Sequence, residues 1–395
     1  MSNKIIVSGV GCCLVDVLYN NINFSDSAFQ KYISLQRGDG GLTPGRLVFN
    51  EELVQFAGTP FESLLQLITG PRMPDKITIG GPSIVALIHA AQLCPFPDCE
   101  VRFYGKAGND EKGKYLLEAL LSTPVVLHDF TLTGNSSPST IVLSDPAYDN
   151  GHGERTFIHS MGAAADYKPE QLDDAFFNSH IVVFGGTALV PQIHDGLTGL
   201  LKKSKARGCI TIVNTVFDFR NEKQNPDKKW PLGNSDESFA YIDLLIADRE
   251  EALRLSGETT TEGAIAFFIN SKVSAVLITN GSDPVLIYSN GTIFTALKPT
   301  QLPVSQRITE ELKTSKNGDT TGAGDNFAGG VIASIANQLK VENTMPDLLE
   351  AASWGVVSGG YACFYIGGTY IEQSRGEKMK NLLPYYHSYL QQLHG

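Results

Sequence analysis

Short runs of β-branched and other apolar residues alternate with longer amphipathic stretches along most of the chain. The short runs predict strands at 5–10, 101–104, 181–184, 209–214, 242–246, 275–279 and 286–288. The longer stretches predict helices at 84–93, 112–121, 193–205, 249–255, 262–270 and 326–339. This alternation predicts an α/β fold, a three-layer sandwich in which helices cover both faces of a mostly parallel central sheet. In such sheets ligands collect at the carboxyl ends of the strands.

Two long stretches, residues 17–78 and 125–160, interrupt this rhythm. Both contain clusters of turn-forming residues, and the second alternates apolar and polar positions, so we expect small antiparallel strands that leave the core and return. Within the first stretch, the apolar spacing over 50–70 predicts a helical insertion, to which we assign no function. The polar segment 305–317 is expected to be an inserted, mobile loop. We interpret residues 1–395 as a single domain.

Charge and composition restrict the classes of function. The formal net charge is −11, which argues against binding to nucleic acid or to an anionic membrane. No stretch is apolar enough over eighteen residues to predict a transmembrane helix. The six cysteines lack the spacing of a metal site, and several lie in apolar runs. We therefore expect a reduced, cytoplasmic protein with buried thiols and no metal bound through cysteine.

The most informative segment is the run GDTTGAGD at 318–325, which leads directly into a helical pattern. Phe327, Val331, Ile335 and Leu339 recur every four residues, as on one buried face of a helix. Small residues ahead of a helix allow a tight turn whose N–H groups converge, and a helix start attracts anions. A carboxylate in the first turn, at Asp325, should be stabilised as the anion and could accept a proton. A simple N-cap would explain this aspartate, but it would not explain the glycines before it.

The order of several motifs resembles that of the ribokinase-like carbohydrate kinases. The run DTTGAGD at 319–325 is similar to the C-terminal signature of that family, and Gly80-Gly81 followed by a helix is similar to its N-terminal signature. Other similar pieces lie between residues 4 and 370 in the family's order: GVG at 9–11, GKAGNDEKG at 105–113, GERT at 153–156, DREE at 248–251 and NG at 280–281. The resemblance implies an ATP- and Mg²⁺-dependent kinase whose acceptor is a sugar hydroxyl.

The resemblance also assigns roles around the acceptor. It implies that Asp325 is the general base and that Gly322, Ala323 and Gly324 donate N–H groups to the transferring phosphoryl group. These positions carry the catalytic prediction. It implies further that three residues bind the sugar, namely Asp16, Gly80 and Gly81. A lid formed by about residues 17–45 and 130–160 would cover the sugar and could support a homodimer.

On the nucleotide side, the resemblance places Thr279 and Gly281 against ATP. Asp248 and Glu251 would act on Mg²⁺ through its waters, although this chain has Asp248 where the family has Asn. Two acidic residues at a helix start are explained equally well by the helix dipole. The positions of Asp319 and Thr321 resemble those that help to hold a monovalent cation, K⁺, in many family members.

The identity of the acceptor stays open at the level of the sequence. Val85 stands where the family often has Asn, which predicts a less polar pocket and poor use of ribose. One alternative is a nucleoside kinase of the adenosine type with the same fold. Another is a non-catalytic sugar sensor, which the intact Asp325 and its glycines disfavour. A dinucleotide-binding fingerprint and a P-loop are both incomplete or missing, so neither class is expected.

Overall fold

The computed structural model describes residues 4–394 except 37, 95, 96, 316, 317, 342 and 343. Its strands are Ile5–Gly11 (β1), Leu14–Tyr19 (β2), Leu47–Phe49 (β3), Lys76–Gly80 (β4), Cys99–Gly108 (β5), Val126–Thr133 (β6), Ser139–Asp145 (β7), Glu154–Ser160 (β8), Ile181–Gly185 (β9), Ile210–Asn214 (β10), Leu244–Asp248 (β11), Ala275–Asn280 (β12), Asp283–Ser289 (β13) and Leu297–Leu302 (β14). All seven predicted strands are present, and further strands join them.

The helices are Ser27–Gln30 (α1), Asn50–Ala57 (α2), Phe61–Thr69 (α3), Pro82–Leu93 (α4), Glu111–Leu121 (α5), Tyr148–Gly151 (α6), Asp174–Phe177 (α7), Pro191–Asp195 (α8), Leu197–Ala206 (α9), Phe219–Gln224 (α10), Arg249–Ser256 (α11), Thr261–Asn270 (α12), Gln306–Leu312 (α13), Ala323–Gln338 (α14), Leu348–Ala362 (α15) and Glu377–His394 (α16). Short 3₁₀ helices occupy Gly162–Asp166, Pro169–Gln171, Thr187–Leu189 and Asp236–Tyr241.

The large sheet has nine strands in the order β14-β13-β12-β11-β10-β9-β1-β5-β6. Every neighbouring pair is parallel except β12 with β13 and β13 with β14, which are antiparallel. The predicted mostly parallel sheet is therefore confirmed.

Alternate residues of the large sheet face two separate apolar cores. In β9, Ile181 and Val183 belong to one core, whereas Val182 and Phe184 belong to the other. Side chains of α4, α14 and α15 fill the first core, and those of α9, α11 and α12 fill the second. Because every residue of β9 is buried and alternate residues face different cores, both faces of the sheet are covered, which confirms the three-layer architecture.

The smaller sheet differs from the prediction in its pairing. Its order is β3-β8-β7-β2-β4, and it mixes parallel pairs, β2 with β7 and β3 with β8, with antiparallel pairs. The predicted antiparallel pairing holds for two of the pairs, β2 with β4 and β7 with β8. The two parallel pairs were not predicted, and β2 and β7 are separated by enough chain for the crossover connection that a parallel pair needs. The predicted lid range 17–45 supplies the end of β2, and 130–160 supplies β7 and β8, whereas the end of β6 at 130–133 pairs with β5 in the large sheet.

Two predictions concern segments outside the main alternation of strands and helices, namely a helical insertion and a loop. The helices α2 and α3 occupy the predicted helical insertion at 50–70. The segment expected to be a loop at 305–317 instead contains α13, whose Ile308 is buried, so its polar residues lie on the outer side of a helix. The rest of that prediction falls on residues 316 and 317, outside the described residues. No helix within the described ranges combines the length and the apolar character needed to cross a membrane.

Candidate active site

The glycine-rich turn before α14 is closely packed against the C-terminal part of the chain. Gly322 has φ of +73°, and a methyl group on it would lie 2.5 Å from Gly368 Cα. A methyl group on Gly318 would clash with the carbonyl of Cys363. A side chain is therefore excluded at both positions, for steric reasons and, at Gly322, also by the backbone conformation.

The N–H groups of the turn are not all available. Ala323 donates to the carbonyl of Thr320 at 3.2 Å, so the prediction that Ala323 binds the phosphoryl group is not supported by this arrangement. The first hydrogen bond of the helical pattern runs from Asn326 N to the Gly322 carbonyl, at 2.8 Å. The N–H of Gly324 comes before this bond along the chain and therefore has no carbonyl partner within the helix. No atom lies within 4 Å of a methyl group built on Gly324, so this residue faces open space.

Asp325 lies in the first turn of α14, as predicted. Burial raises the pKa of its carboxyl to about 7, which corrects the expectation that the helix start would keep it ionised well below neutral pH. Removal of a carboxylate from water outweighs the favourable helix dipole here. A carboxyl that titrates near neutral pH is suited to accept a proton.

Asp16 and Gly80 meet where β2 and β4 pair in the smaller sheet. Leu14 is opposite Gly80 in that pairing, and a methyl group on Gly80 would clash with the carboxylate of Asp16. Burial first, and then the charges of Asp325 and Asp319, raises the pKa of Asp16 to about 7. The structure thus brings three predicted carboxylates into one electrostatic neighbourhood.

Gly81 begins the helix α4 beside this group. Its φ is +105°, and a methyl group on it would lie 2.7 Å from the carbonyl oxygen of Cys12. The paired glycines therefore let the chain turn from β4 into α4 close against the segment that precedes Asp16.

A cavity of about 640 Å³ opens beside the glycine turn. Thr279 and Gly281, predicted to contact nucleotide, share its wall with Asp319, Ala323 and Gly324. Apolar side chains also line the cavity, among them Val285, Ile308, Leu312, Phe327 and Val356. A pocket with a few polar groups at one end and an apolar wall is typical of a site for a small organic ligand.

Asp248 and Glu251 form a capping box at the start of α11. The Asp248 carboxylate accepts the N–H of Glu251 at 2.8 Å, and Glu251 accepts the N–H of Asp248 at 3.2 Å and the hydroxyl of Thr215. Burial, and then the charge of Asp248, raises the pKa of Glu251 to about 8, and the charge of Asp325 acts in the same direction. The two residues therefore cap the helix α11, and their predicted role toward Mg²⁺ stays a prediction.

The described part of the chain contains no cluster of three or more His, Cys, Asp or Glu residues that could enclose a metal ion. A divalent cation that keeps most of its waters does not need such a cluster, so Asp248 and Glu251 fit Mg²⁺ held through water.

Arg155, on β8 of the smaller sheet, was not singled out by the sequence pattern as a site residue. Its guanidinium lies 3.3 Å from the Asp319 carboxylate and donates to the hydroxyl of Thr321. The predicted monovalent cation does not fit this arrangement, because Arg155 already supplies positive charge to both proposed ligands. The motif GERT at 153–156 contains Arg155, but the sequence does not show that this arginine contacts Asp319 and Thr321.

Val85 is buried beside the C-terminal loop. It is 2% exposed, and its methyl groups lie 3.3 and 3.5 Å from a methyl group built on Gly368. The less polar pocket wall and the poor use of ribose stay predictions.

The chain is similar in sequence and in fold to known kinases. The sequence model of the family described as pfkB family carbohydrate kinase matches residues 75–361. An adenosine kinase from Schizosaccharomyces pombe is 27% identical over 268 residues, which cover 62% of this chain and 70% of that protein.

Solved structures share the fold at lower identity. The adenosine kinase from Schistosoma mansoni in complex with 2-fluoroadenosine superposes with a TM-score of 0.67 at 18% identity, covering 93% of this chain and 97% of that one. A ribokinase from Thermotoga maritima superposes with a TM-score of 0.63 at 18% identity, covering 96% and 100% of the two chains.

Proposed function

We propose that this protein transfers a phosphoryl group to a hydroxyl of a small sugar or a nucleoside. The chain belongs to the pfkB family of carbohydrate kinases and is thus an ATP-dependent kinase. The observation that carries the proposal is the position of Asp325 behind Gly322 and Gly324, at the junction of a cavity and a group of buried carboxylates. A base beside a turn with convergent N–H groups supports transfer of a phosphoryl group to an alcohol.

In the proposed reaction Asp325 accepts the proton of the acceptor hydroxyl. The acceptor oxygen forms a bond to the γ-phosphorus of ATP as the bond from that phosphorus to the β,γ-bridging oxygen breaks, and ADP leaves. General-base assistance of this kind contributes about 10²- to 10⁴-fold in rate. The proton, the phosphoryl group and the leaving group are all accounted for by the acceptor, ATP and Asp325.

The turn before α14 would stabilise the transferring group. Gly324 lines the cavity and lies in the first turn of α14, where the helix is partly positive and the N–H groups have no carbonyl partner within the helix. Negative charge on the equatorial oxygens is met by such donors, and this electrostatic contribution is usually larger than that of the base. Thr279 and Gly281 would then contact the nucleotide along the same wall.

Asp248 and Glu251 would hold Mg²⁺ through its waters. When bound, Mg²⁺ neutralises charge on the nucleotide phosphates. Glu251 is kept in place by the Thr215 hydroxyl and by the capping box. A cation near this pair would also favour the ionised form of Glu251.

The acceptor would lie against Asp16, Gly80 and Gly81, between the smaller sheet and α14. A carboxylate at Asp16 can accept hydrogen bonds from two hydroxyls, and the glycines allow the acceptor to approach the backbone. Because β2 carries Asp16 and β8 carries Arg155, we propose that the smaller sheet covers the acceptor as a lid. The adenosine kinase relative keeps a nucleoside acceptor as the second candidate.

A panel of acceptors tests this proposal. Purified protein would be incubated with ATP, Mg²⁺ and one pentose, hexose, sugar acid or nucleoside at a time, with ADP release followed by a coupled assay. We expect at least one sugar or nucleoside to raise ADP release well above the acceptor-free rate. Release that is independent of every acceptor would leave the proposed activity without support.

The rate should depend on pH through the buried carboxyls. Because the pKa of Asp325 is raised to about 7, the base is protonated and inactive below that pH and ionised above it. We predict that kcat/KM falls about tenfold per unit below pH 6 and levels off above pH 8. The profile would be measured with the best acceptor, and ATP binding would be measured over the same range as the control. A flat profile from pH 5.5 to 8 would contradict the role of Asp325.

A further inference from the structure

Asn326, which directly follows Asp325, is buried and connects the glycine turn to the C-terminal loop. Its side-chain nitrogen donates to the carbonyl of Gly322 at 2.8 Å and to the carbonyl of Gly368 at 2.9 Å. Carbonyl oxygens only accept hydrogen bonds, so these two contacts fix the orientation of the amide. The Asn326 Oδ1 must therefore face the opposite side.

On that side the Oδ1 of Asn326 meets three donors, two from helices and one from the loop that follows α15. His89 Nδ1 on α4 lies at 2.6 Å, the Tyr365 hydroxyl at 3.1 Å, and the Lys378 ammonium on α16 at 3.2 Å. Burial, and then the charge of Lys378, holds the pKa of His89 well below its usual range, so the ring is neutral and its Nδ1–H donates. The Asn326 Oδ1 thus accepts hydrogen bonds from three residues that lie outside the glycine turn.

Lys378 is an unusual member of this group because it is only 1% exposed. Its ammonium group also donates to the Tyr365 hydroxyl at 3.3 Å and lies 5.4 Å from the ring centroids of both Tyr365 and Tyr370. Burial lowers the pKa of Lys378 to about 7, and the charge of Glu372 opposes that shift. A buried ammonium group costs folding free energy unless its contacts compensate, so its retention needs a reason beyond packing.

The contacts form a continuous line from Lys378 to the glycine turn. Lys378 donates to the Asn326 amide oxygen, and the Asn326 amide nitrogen donates to the Gly322 carbonyl. The peptide group that carries this carbonyl also carries the N–H of Ala323, which donates to Thr320. Hydrogen bonds in series polarise and strengthen one another, so a donor at Lys378 stiffens the turn between Thr320 and Ala323.

We propose that Lys378 is a positioning residue for the phosphoryl-binding turn and acts through Asn326. The inference rests on the proposed kinase function, since it concerns the geometry of the same turn. In this proposal α16, which is remote along the chain, holds Gly322 in place through Asn326. The position of Gly322 in turn sets the directions of the Gly324 N–H and the Asp325 carboxylate. A displacement of about 1 Å in such groups costs about 10²-fold in rate, so this support would be visible in kcat.

A double-mutant cycle tests the proposal. Lys378→Met keeps the length of the side chain and removes its charge, and we expect kcat to fall about 10- to 100-fold while the KM for ATP and for the acceptor changes less than about threefold. Asn326→Ala should lower kcat to a similar extent. Because both act on the same turn, the double variant should be no slower than the slower single variant.

Lys205→Met is the matched control, because Lys205 is held by two contacts of 2.8 Å to Asp243 away from the turn. It should leave kcat unchanged. If Lys378→Met folds poorly, Lys378→Gln offers a neutral donor of similar length and should retain more activity than Asn326→Ala. A wild-type kcat in Lys378→Met, a Lys378→Gln variant no more active than Asn326→Ala, or additive losses in the double variant would overturn the positioning role. Absence of kinase activity in the wild-type protein would instead refute the proposed function.

Discussion

Asp325→Asn is expected to lower kcat at least about 100-fold and to leave ATP binding intact, because the substitution removes the proton acceptor and keeps the shape of the side chain. ATP affinity would be measured by calorimetry and kcat by ADP release with the best acceptor. The cavity proposed to bind the nucleotide is lined by Thr279, Gly281 and Gly324 rather than by Asp325, so the two quantities should separate. A variant that turns over near the wild-type rate would show that another group takes the proton.

Thermal unfolding provides the control for Asp325→Asn. The pKa of Asp325 is raised from its ordinary value to about 7 in the folded protein, so the native state binds this proton more tightly than the unfolded chain does. Ionisation therefore destabilises the native state progressively as pH rises from about 4 to 7, and the full penalty is present above pH 7. Asn carries no such penalty, so we expect Asp325→Asn to be at least as stable as wild type at pH 8. A lower melting temperature at that pH would indicate that the loss of activity reflects damage to the fold.

Gly324→Ala is expected to lower kcat/KM by about 10²-fold without loss of stability. A methyl group at Gly324 meets no protein atom within 4 Å, so the fold should accept it. Gly324 lines the cavity where the phosphoryl group is proposed to bind, so the added methyl group would keep the phosphoryl group away from the Gly324 N–H. Loss of one such N–H contact costs about 10²- to 10³-fold in rate. Steady-state kinetics and thermal unfolding of the same preparation would measure both effects.

Gly199→Ala is the matched control for Gly324→Ala. Gly199 also lies near the start of a helix, α9, and a methyl group on it likewise meets no atom within 4 Å. Replacing glycine with alanine in a helix is expected to stabilise the protein by about 0.5–1 kcal/mol, with no effect on the rate. Equal kinetic effects of the two substitutions would mean that Gly324 has no special place in the reaction.

The parts of the fold that were predictable from the sequence are those with strong periodicity. The apolar run at 181–184 predicts β9 because its residues face two cores, and the four-residue spacing from Phe327 predicts α14. The glycine turn was predictable because several glycines precede one acidic residue at a helix start. Gly322 is indeed a position that a side chain could not occupy.

Other elements carry no such signal. The helix α15 is rich in small residues, and Gly355 packs against Phe327 and Val331 of α14, so its buried face shows little contrast with the rest of the helix. The mixed pairing of the smaller sheet depends on strands far apart in sequence, which local patterns do not specify.

The supporting side chains of the site were also beyond the sequence. Arg155 meets Asp319 only because the fold brings β8 to the glycine turn, and Lys378 meets Asn326 only because the fold brings α16 to the first turn of α14. Their spacing along the chain is unrelated to these contacts. The contact of Val85 with Gly368 is likewise a long-range one that the sequence does not specify.

Transfer of a labelled γ-phosphoryl group tests the central claim most directly. Wild-type protein and Asp325→Asn would be mixed with γ-labelled ATP, Mg²⁺ and the best acceptor from the panel, and the products would be separated over time. We predict that wild-type protein moves the label to the acceptor in equal amount with ADP and that Asp325→Asn does so at least about 100-fold more slowly. Label that appears only as inorganic phosphate with every acceptor, or equal transfer by the two proteins, would contradict the account.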